Sequence, residues 1–277
     1  MPQVINTNLM SLNTQRALNA SQGSMQTSLE RLSSGLRINR AKDDAAGLAI
    51  SERLTSQIRG LEQANRNAND AISLLQTAEG ALAEATNALQ RMRELAVQAM
   101  NATTSDTDKN SLNQEFRALA DEISRNSDAP KFNGELIIGS VTSLIFQIGF
   151  EGGSTNQITV STIDLVSASG VEDILVATAG ISNITDASAA LSDITIALDT
   201  ISALRASFGA AQNRLESTVR NNANVVENQQ AARSRVLDAD FAVETANLTR
   251  TQILQQAGTA MLAQANQLPQ NVLQLLG

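Results

Sequence analysis

Apolar residues recur with a helical period along most of the chain. Residues 48–100 contain no proline, and their apolar positions follow steps of four and three. These positions are Leu54, Ile58, Leu61, Ala68, Ile72, Leu75, Leu82, Leu89, Ala96 and Met100. The ladder skips the polar positions Asn65, Glu79, Thr86 and Arg93. A seam of this period is typical of coiled coils, and the polar interruptions favour a bundle. A helix of this length would extend roughly 80 Å at about 1.5 Å per residue.

Similar periodicity predicts helices towards both ends of the chain. Residues 4–33 predict one helix, which Ser33-Ser34-Gly35 ends, and a basic connector follows from Leu36 to Lys42. Asp43 and Asp44 are suited to cap the long helix and to fill its first turn. A turn at Asn101–Asp108 precedes a further helix, which Pro130 ends. The apolar face of that helix comprises Leu112, Phe116, Leu119, Ala120 and Ile123.

The C-terminal third repeats this arrangement in reverse. Residues 187–230 predict a helix, 233–240 a second connector, and 241–276 a last helix. The ladder of the first of these helices comprises Ile194, Leu198, Ile201, Phe208, Leu215, Val219, Asn222 and Val226. We expect the chain to run out along a rod and return, with both terminal helices at one end. Each terminal helix has an apolar stripe with little in its own chain to cover it.

The period changes to two in the middle of the chain. Alternation at Leu144–Phe150 and at Gln157–Thr162, with glycines between, predicts one or two β-hairpins. Residues 163–185 match no regular pattern. The segment from 132 to 204 holds no Lys or Arg and carries the whole excess of the −8 net charge. We therefore expect the acidic middle to stay in solvent and the neutral flanks to pack against copies of themselves.

The composition argues against several functional classes. Histidine and cysteine are absent, which excludes a His-dependent triad, a Cys nucleophile and a zincin motif. The acid pairs Asp43/Asp44, Glu172/Asp173 and Asp238/Asp240 are interpreted as helix caps and solvated acids rather than a hydrolase site. No basic patch suits nucleic acid, and no apolar run of 18 residues suits a membrane span. We expect no cofactor, no metal and no enzymatic activity.

Several long motifs resemble bacterial flagellin. Near the N-terminus these are Ile5-Asn6-Thr7-Asn8, Leu29-Glu30-Arg31-Leu32-Ser33-Ser34-Gly35, Ala41-Lys42-Asp43-Asp44-Ala45-Ala46-Gly47-Leu48 and Leu89-Gln90-Arg91-Met92-Arg93-Glu94-Leu95. Near the C-terminus they are Gly209-Ala210-Ala211-Gln212-Asn213-Arg214-Leu215-Glu216 and Ala263-Gln264-Ala265-Asn266-Gln267-Leu268-Pro269-Gln270. They stand in the family's order and cover residues 4–150 and 186–277.

The resemblance implies a subunit that assembles into the hollow flagellar filament outside the cell. The fold would be mainly α, a long antiparallel helical rod of coiled-coil type. It would have paired terminal helices at one end and a small β-hairpin region at the other. Residues 1–44 and 233–277 would form the inner tube, 45–150 and 186–232 the outer tube, and 151–185 a short outward-facing variable segment. Inner-tube packing is assigned to Leu29, Leu32, Leu254, Met261, Leu268 and Leu275.

The resemblance also implies partners. These are an export chaperone at the C-terminal helix, the filament cap and hook-junction proteins, and export by the flagellar type III apparatus without a cleaved signal peptide. Toll-like receptor 5 would contact Gln90, Arg91, Leu95 and Glu115. The alternatives are another flagellar axial protein, such as the hook–filament junction protein, and a secreted effector or hydrolase. The ladders by themselves would also suit an ordinary helical-bundle core.

Overall fold

The computed structural model describes residues 7–132, 134–139, 141, 143–175 and 180–276, without the side chains of 135 and 268–276. The chain forms two compact units. The terminal unit comprises Met1–Ser56 and Glu227–Gly277, and the central unit comprises Gln57–Val226. Both boundaries lie inside long helices. The sequence placed them at the connectors, near residues 44 and 233.

The fold is mainly α-helical, as the sequence predicted. The helices are α1 (Leu9–Ser34), α2 (Ala45–Ala99), α3 (Asp106–Asp128), α4 (Val171–Leu175), α5 (Ile184–Leu237) and α6 (Phe241–Leu276). The strands are β1 (Lys131–Phe132), β2 (Glu135–Leu136), β3 (Ser143–Gln147) and β4 (Gln157–Ser161). The strands form two antiparallel hairpins, β1–β2 and β3–β4, within the described residues.

The first connector is built by Gly35 and two neighbouring aspartates. Gly35 has a φ of 72° and donates its N–H to the Arg31 carbonyl, which ends α1 in a left-handed cap. Asp44 caps α2 by accepting the Gly47 N–H at 2.8 Å. Asp43, in contrast, is outside the first turn of α2. Its carboxylate accepts the N–H groups of Asn39 and Arg40, at 3.1 and 3.0 Å, and so closes the connector.

The second connector is shorter than predicted. Helix α5 continues to Leu237 and α6 begins at Phe241, so only 238–240 separate them. Asp238 lies beside Leu36 in an isolated antiparallel bridge, and Arg37 donates its backbone N–H to the Leu237 carbonyl at 2.7 Å. The two connectors therefore hold each other through backbone hydrogen bonds inside the terminal unit.

The core of the central unit follows a ladder of which the sequence interpretation found only one of two rows. Two heptad rows of α2 are buried: Leu61, Ala68, Leu75, Leu82, Leu89 and Ala96, and Ala64, Ala71, Ala78, Ala85, Met92 and Ala99. The second row lies one residue before the polar positions at which the predicted ladder was interrupted. The seam therefore has no polar interruption. The second row is mostly alanine, whose small side chain allows helices to approach closely.

Helix α5 supplies the opposing row to this core. Its buried residues follow the same three–four spacing: Ala187, Ala190, Ile194, Ala197, Ile201, Leu204, Phe208, Ala211 and Leu215. An 18-residue window of α5 reaches a mean hydropathy of 1.3, which by length and composition alone would suit a membrane span. Its largest apolar side chains, among them Ile194 and Phe208, lie instead in the core of this unit.

The sequence predicted residues 151–185 as a short outward-facing segment, and the described part of this range holds buried as well as exposed residues. Within the described part of that range, Leu165, Val171 and Ile181 are fully buried in the central core. Leu165 donates its N–H to the Ile138 carbonyl at 3.0 Å, and Ile181 donates to Asn113 Oδ1 at 3.0 Å. Glu151, Glu172 and Asp173 are exposed, while several apolar residues of the same segment are buried. Net charge thus did not predict the path of the backbone.

Candidate assembly interface

The terminal helices pair along a narrow and largely polar seam. The residues of α1 that turn towards α6 are spaced by three and four, and include Ser11, Thr14, Leu18, Ser21, Met25 and Ser28. Those of α6 are Glu244, Asn247, Thr251, Gln255, Gly258, Leu262 and Ala265. The contacts run antiparallel, because Asn8 Nδ2 donates to the Ala265 carbonyl at 2.8 Å while Ser21 Oγ donates to the Thr251 carbonyl at 3.2 Å.

A buried carboxylate marks one end of this seam. Glu244 is buried and faces the Arg31 guanidinium across 3.7 Å. Near the middle, Gly258 lies against Leu18, and a Cβ at 258 would come within 3.2 Å of the Leu18 Cδ1. The sequence predicted little intrachain cover for these helices. The structure corrects this, because each covers one face of the other, and that face is mainly polar.

The apolar faces of both helices point away from this seam. The exposed fractions of Leu254 and Met261 are 52% and 62%, and Leu29 is 49% exposed. Leu32 is half-buried. Leu268 and Leu275, also assigned to the assembly face, lie outside the residues whose side chains are described. The assigned and described side chains are thus mostly available to other molecules.

Further exposed apolar residues extend this surface. They are Leu9, Met10 and Leu12 on α1 and Phe241, Val243 and Ile253 on α6. The sequence interpretation missed them because they do not belong to a single four–three ladder. Apolar residues that are neighbours in the sequence could have revealed this surface. A pair such as Ile253–Leu254 widens the apolar stripe of a helix beyond what one partner helix can cover. We call the exposed apolar residues of α1 and α6 the open faces.

A second candidate surface lies on α2 and α3. Gln90, Arg91 and Glu115 are exposed. Arg91 donates to Glu94 Oε2 at 2.8 Å and to Glu115 Oε1 at 3.0 Å. The hydrogen bond to Glu94, followed by that to Glu115, raises the pKa of the Arg91 guanidinium. The cation is therefore held between two carboxylates.

Leu95 does not share this surface. Its side chain is only 1% exposed and lies in the central core. The Leu95 side chain, predicted from the sequence as a receptor contact, is therefore not exposed beside Arg91. A spacing of four puts two residues about 40° apart on a helix of 3.6 residues per turn, which is enough to separate a core position from a rim position. Val97 is the apolar side chain exposed nearby, in an open depression with Arg93 and Leu198.

The remaining acid pairs contain residues that lie at the beginning of helices. Asp240 Oδ1 accepts the N–H groups of Ala242 and Val243 and so caps α6. Glu172 and Asp173 lie exposed in the first turn of α4. Desolvation, with the charge of Asp173, raises the pKa of Asp193. Among the described residues, no group of three or more acids is placed to hold a metal ion.

The helical regions match known family models. Residues 5–142 match the bacterial flagellin N-terminal helical region, and residues 191–276 match the bacterial flagellin C-terminal helical region. The chain belongs to the bacterial flagellin family. The two matches include both the open faces and the Arg91 surface.

Two flagellins are similar to this chain over nearly its whole length. A flagellin of Halalkalibacterium halodurans is 49% identical over 277 residues, covering 99% of each chain. A flagellin of Bacillus subtilis is 44% identical, covering 98% of this chain and 99% of its own. Flagellins are subunits of the flagellar filament. The chain is accordingly a structural protein that self-assembles into this extracellular filament for swimming motility.

Solved structures agree with this fold. The crystal structure of Bacillus cereus flagellin has a TM-score of 0.50 and 30% identity, covering 57% of this flagellin and 88% of its own chain. A putative flagellar hook-associated protein from Vibrio parahaemolyticus has a TM-score of 0.60 at 11% identity, covering 71% and 100%. At that identity the likeness concerns the fold alone. The full-length identity to flagellins favours a filament subunit over the hook–filament junction alternative.

Proposed function

We propose that this flagellin polymerises through the open faces of α1 and α6, which become the inner tube of the filament. The proposal rests on the difference in polarity between the two faces of each helix. The face covered within the chain is rich in Ser, Thr, Asn and Gln, whereas Leu254, Met261 and Ile253 are left in solvent. Exposed apolar stripes of this length mark interaction sites.

The symmetry of a filament favours copies of the same chain as the occupant. A heterologous contact that does not close generates a helical polymer. Every subunit then buries the same open faces, and each apolar contact is repeated along the filament. The polar seam keeps α1 and α6 in register within the subunit, and the open faces supply the hydrophobic free energy of assembly.

Seeded polymerisation tests this proposal. Leu254→Ala should leave the unfolding of the monomer nearly unchanged, since the side chain is half-exposed there. It should nevertheless prevent or greatly slow polymerisation, because a Leu→Ala change at a buried site costs about 2–5 kcal/mol. Gln252→Ala, an exposed polar change on the same helix, is the matched control and should polymerise normally. Normal filaments from Leu254→Ala would contradict the assignment.

We further propose that the chain lacks catalytic activity and leaves the cell unfolded through the flagellar type III apparatus. An export chaperone would cover α6 before export, and the cap and hook-junction proteins would meet the subunit at the filament ends. The exposed apolar face of α6 supports a chaperone, because such a face needs cover before assembly. Weaker chaperone binding by Leu254→Ala than by Gln252→Ala is expected.

Recognition of the monomer by Toll-like receptor 5 is proposed through Gln90, Arg91 and Glu115. All three side chains are exposed, and Arg91 and Glu115 are joined by an ion pair. Arginine at such a surface can supply charge-assisted hydrogen bonds. Leu95 has no part in this proposal.

A further inference from the structure

The five methionines among the described residues differ sharply in exposure. Met10 and Met261 are each 62% exposed, whereas Met92 is fully buried and Met25 and Met100 are partly buried. An exposed thioether is accessible to small oxidants, and the other three described sulfurs are shielded to different degrees by the fold. The exposure pattern therefore predicts selective reaction at two positions.

The two exposed methionines lie at the same end of the α1–α6 pair. Asn8 and Ser11, which flank Met10, hydrogen-bond to the Ala265 carbonyl and to Asn266 Oδ1, at 2.8 and 2.9 Å. Met261 lies one helical turn before Ala265. Both methionines point away from these polar contacts and belong to the open faces. Their sulfur atoms thus lie within one stretch of the assembly surface.

We propose that Met10 and Met261 form an oxidation site that controls assembly, an inference that rests on the proposed role of the open faces. Hydrogen peroxide is the co-reactant. The thioether sulfur attacks one peroxide oxygen, an S–O bond forms, the O–O bond breaks, and water leaves. The sulfur is oxidised by two electrons and the peroxide is reduced by two, so the products are methionine sulfoxide and water.

The product changes the property on which assembly depends. A sulfoxide is polar, so its burial between subunits carries a desolvation cost that the thioether does not have. Oxidation of the monomer therefore blocks polymerisation, and reduction of the sulfoxide restores it, because methionine sulfoxide reductases reverse the step. Assembly in turn buries both sulfur atoms. The filament should resist the oxidant that inactivates the monomer.

Peptide mass spectrometry of the full chain treated with hydrogen peroxide tests the first part. In the monomer, sulfoxide should appear at Met10 and Met261 well before Met92, and in filaments both sites should be protected. Equal oxidation of Met92 in the folded monomer would overturn the assignment. Equally rapid oxidation of Met10 and Met261 in filaments would do the same.

Seeded polymerisation of oxidised monomers tests the second part. Wild-type monomer oxidised at Met10 and Met261 should lose most of its polymerisation and regain it after treatment with a sulfoxide reductase. For each protein we compare polymerisation with and without peroxide, so that any effect of a substitution on assembly itself cancels. The double variant Met10→Leu/Met261→Leu has no thioether at either position, so its ratio of treated to untreated polymerisation should stay near one. Met92→Leu should remain sensitive to peroxide. A double variant that loses polymerisation after peroxide would overturn the proposal.

The result for Leu254→Ala separates this inference from the proposed function. If Leu254→Ala fails to polymerise while the oxidised wild type polymerises normally, the oxidation site is refuted and the open faces stand. If both polymerise normally, both proposals are refuted.

Discussion

Gly60 and Phe150 approach so closely that a Cβ built on Gly60 would lie 2.7 Å from the Cβ of Phe150, so a side chain at position 60 would force one of the two segments to shift. Phe150 follows β3, and its backbone also approaches the same site, with its Cα at 3.4 Å. The loop between β3 and β4 therefore packs directly on α2. Gly80 lies on the same helix, and a Cβ added there would meet no atom within 4 Å, which makes it a natural control.

The first prediction compares these two glycines. Gly80→Ala should stabilise the chain by about 0.5–1 kcal/mol, because alanine favours the helix over glycine. Gly60→Ala should instead destabilise it by about 1–3 kcal/mol through overpacking against Phe150. Chemical denaturation followed by circular dichroism measures both changes. A stabilised Gly60→Ala variant would show that the loop does not rest on α2.

The second prediction concerns the buried amide of Asn222. Its Nδ2 donates to the Ile148 carbonyl at 2.9 Å, whereas Asn67 Nδ2 donates to the neighbouring Gln147 carbonyl at 3.2 Å from a partly buried position. Asn222→Ala should cost about 1–3 kcal/mol, because it leaves a buried carbonyl unpaired. Asn67→Ala should cost less. Hydrogen exchange of peptides from β3 and β4 should show faster opening in Asn222→Ala, and unchanged exchange would refute the role of this bond.

The third prediction concerns the pH dependence of the stability of the first connector. Hydrogen bonds from the N–H of Arg40, then of Asn39, hold the pKa of Asp43 below its ordinary value. A lowered folded pKa means that the ionised carboxylate stabilises the connector above the pKa it has in the unfolded chain. That contribution is lost as pH falls through the lower folded pKa. Amide protection in residues 36–43, corrected for intrinsic rates, should decrease in that acidic range.

Asp43→Asn is the matching variant. It keeps a neutral oxygen acceptor but has no charge to titrate, so it should show weaker protection at neutral pH and little further loss in acid. Peptides from the middle of α2 should behave alike in both proteins. If the variant and the wild type lose protection equally on acidification, Asp43 is not the titrating group.

The fourth prediction separates Arg91 from Leu95. Arg91→Ala removes an exposed ion pair and should leave the stability of the chain nearly unchanged. Leu95→Ala empties a core position and should cost about 2–5 kcal/mol. Binding of the monomer to the Toll-like receptor 5 ectodomain should fall in Arg91→Ala while the unfolding curve stays in place. Equal binding by Arg91→Ala and wild type would refute the proposed contact.

The sequence by itself determined the five long helices, the β3–β4 hairpin and the family. Periodic apolar residues, Gly35 at the end of α1 and the alternation in β3 and β4 are local signals, and local signals set local backbone structure. The long motifs at both ends identified a flagellin before any contact was known. The composition also indicated thin helical seams, since aromatics make up only 2% of the residues.

Only the tertiary structure decided which faces are covered and which are left open. Two neighbouring rows of α2 both suit a heptad, and the buried row of alanines carried too weak an apolar signal to be preferred over the interrupted one. Leu95 and the residues around Leu165 are buried because other elements happen to pack over them, and their own spacing does not encode that. The same reason applies to the terminal helices: pairing within the chain covers their polar faces and leaves the apolar residues Leu254 and Met261 exposed, and the sequence pattern alone did not indicate which face would pair.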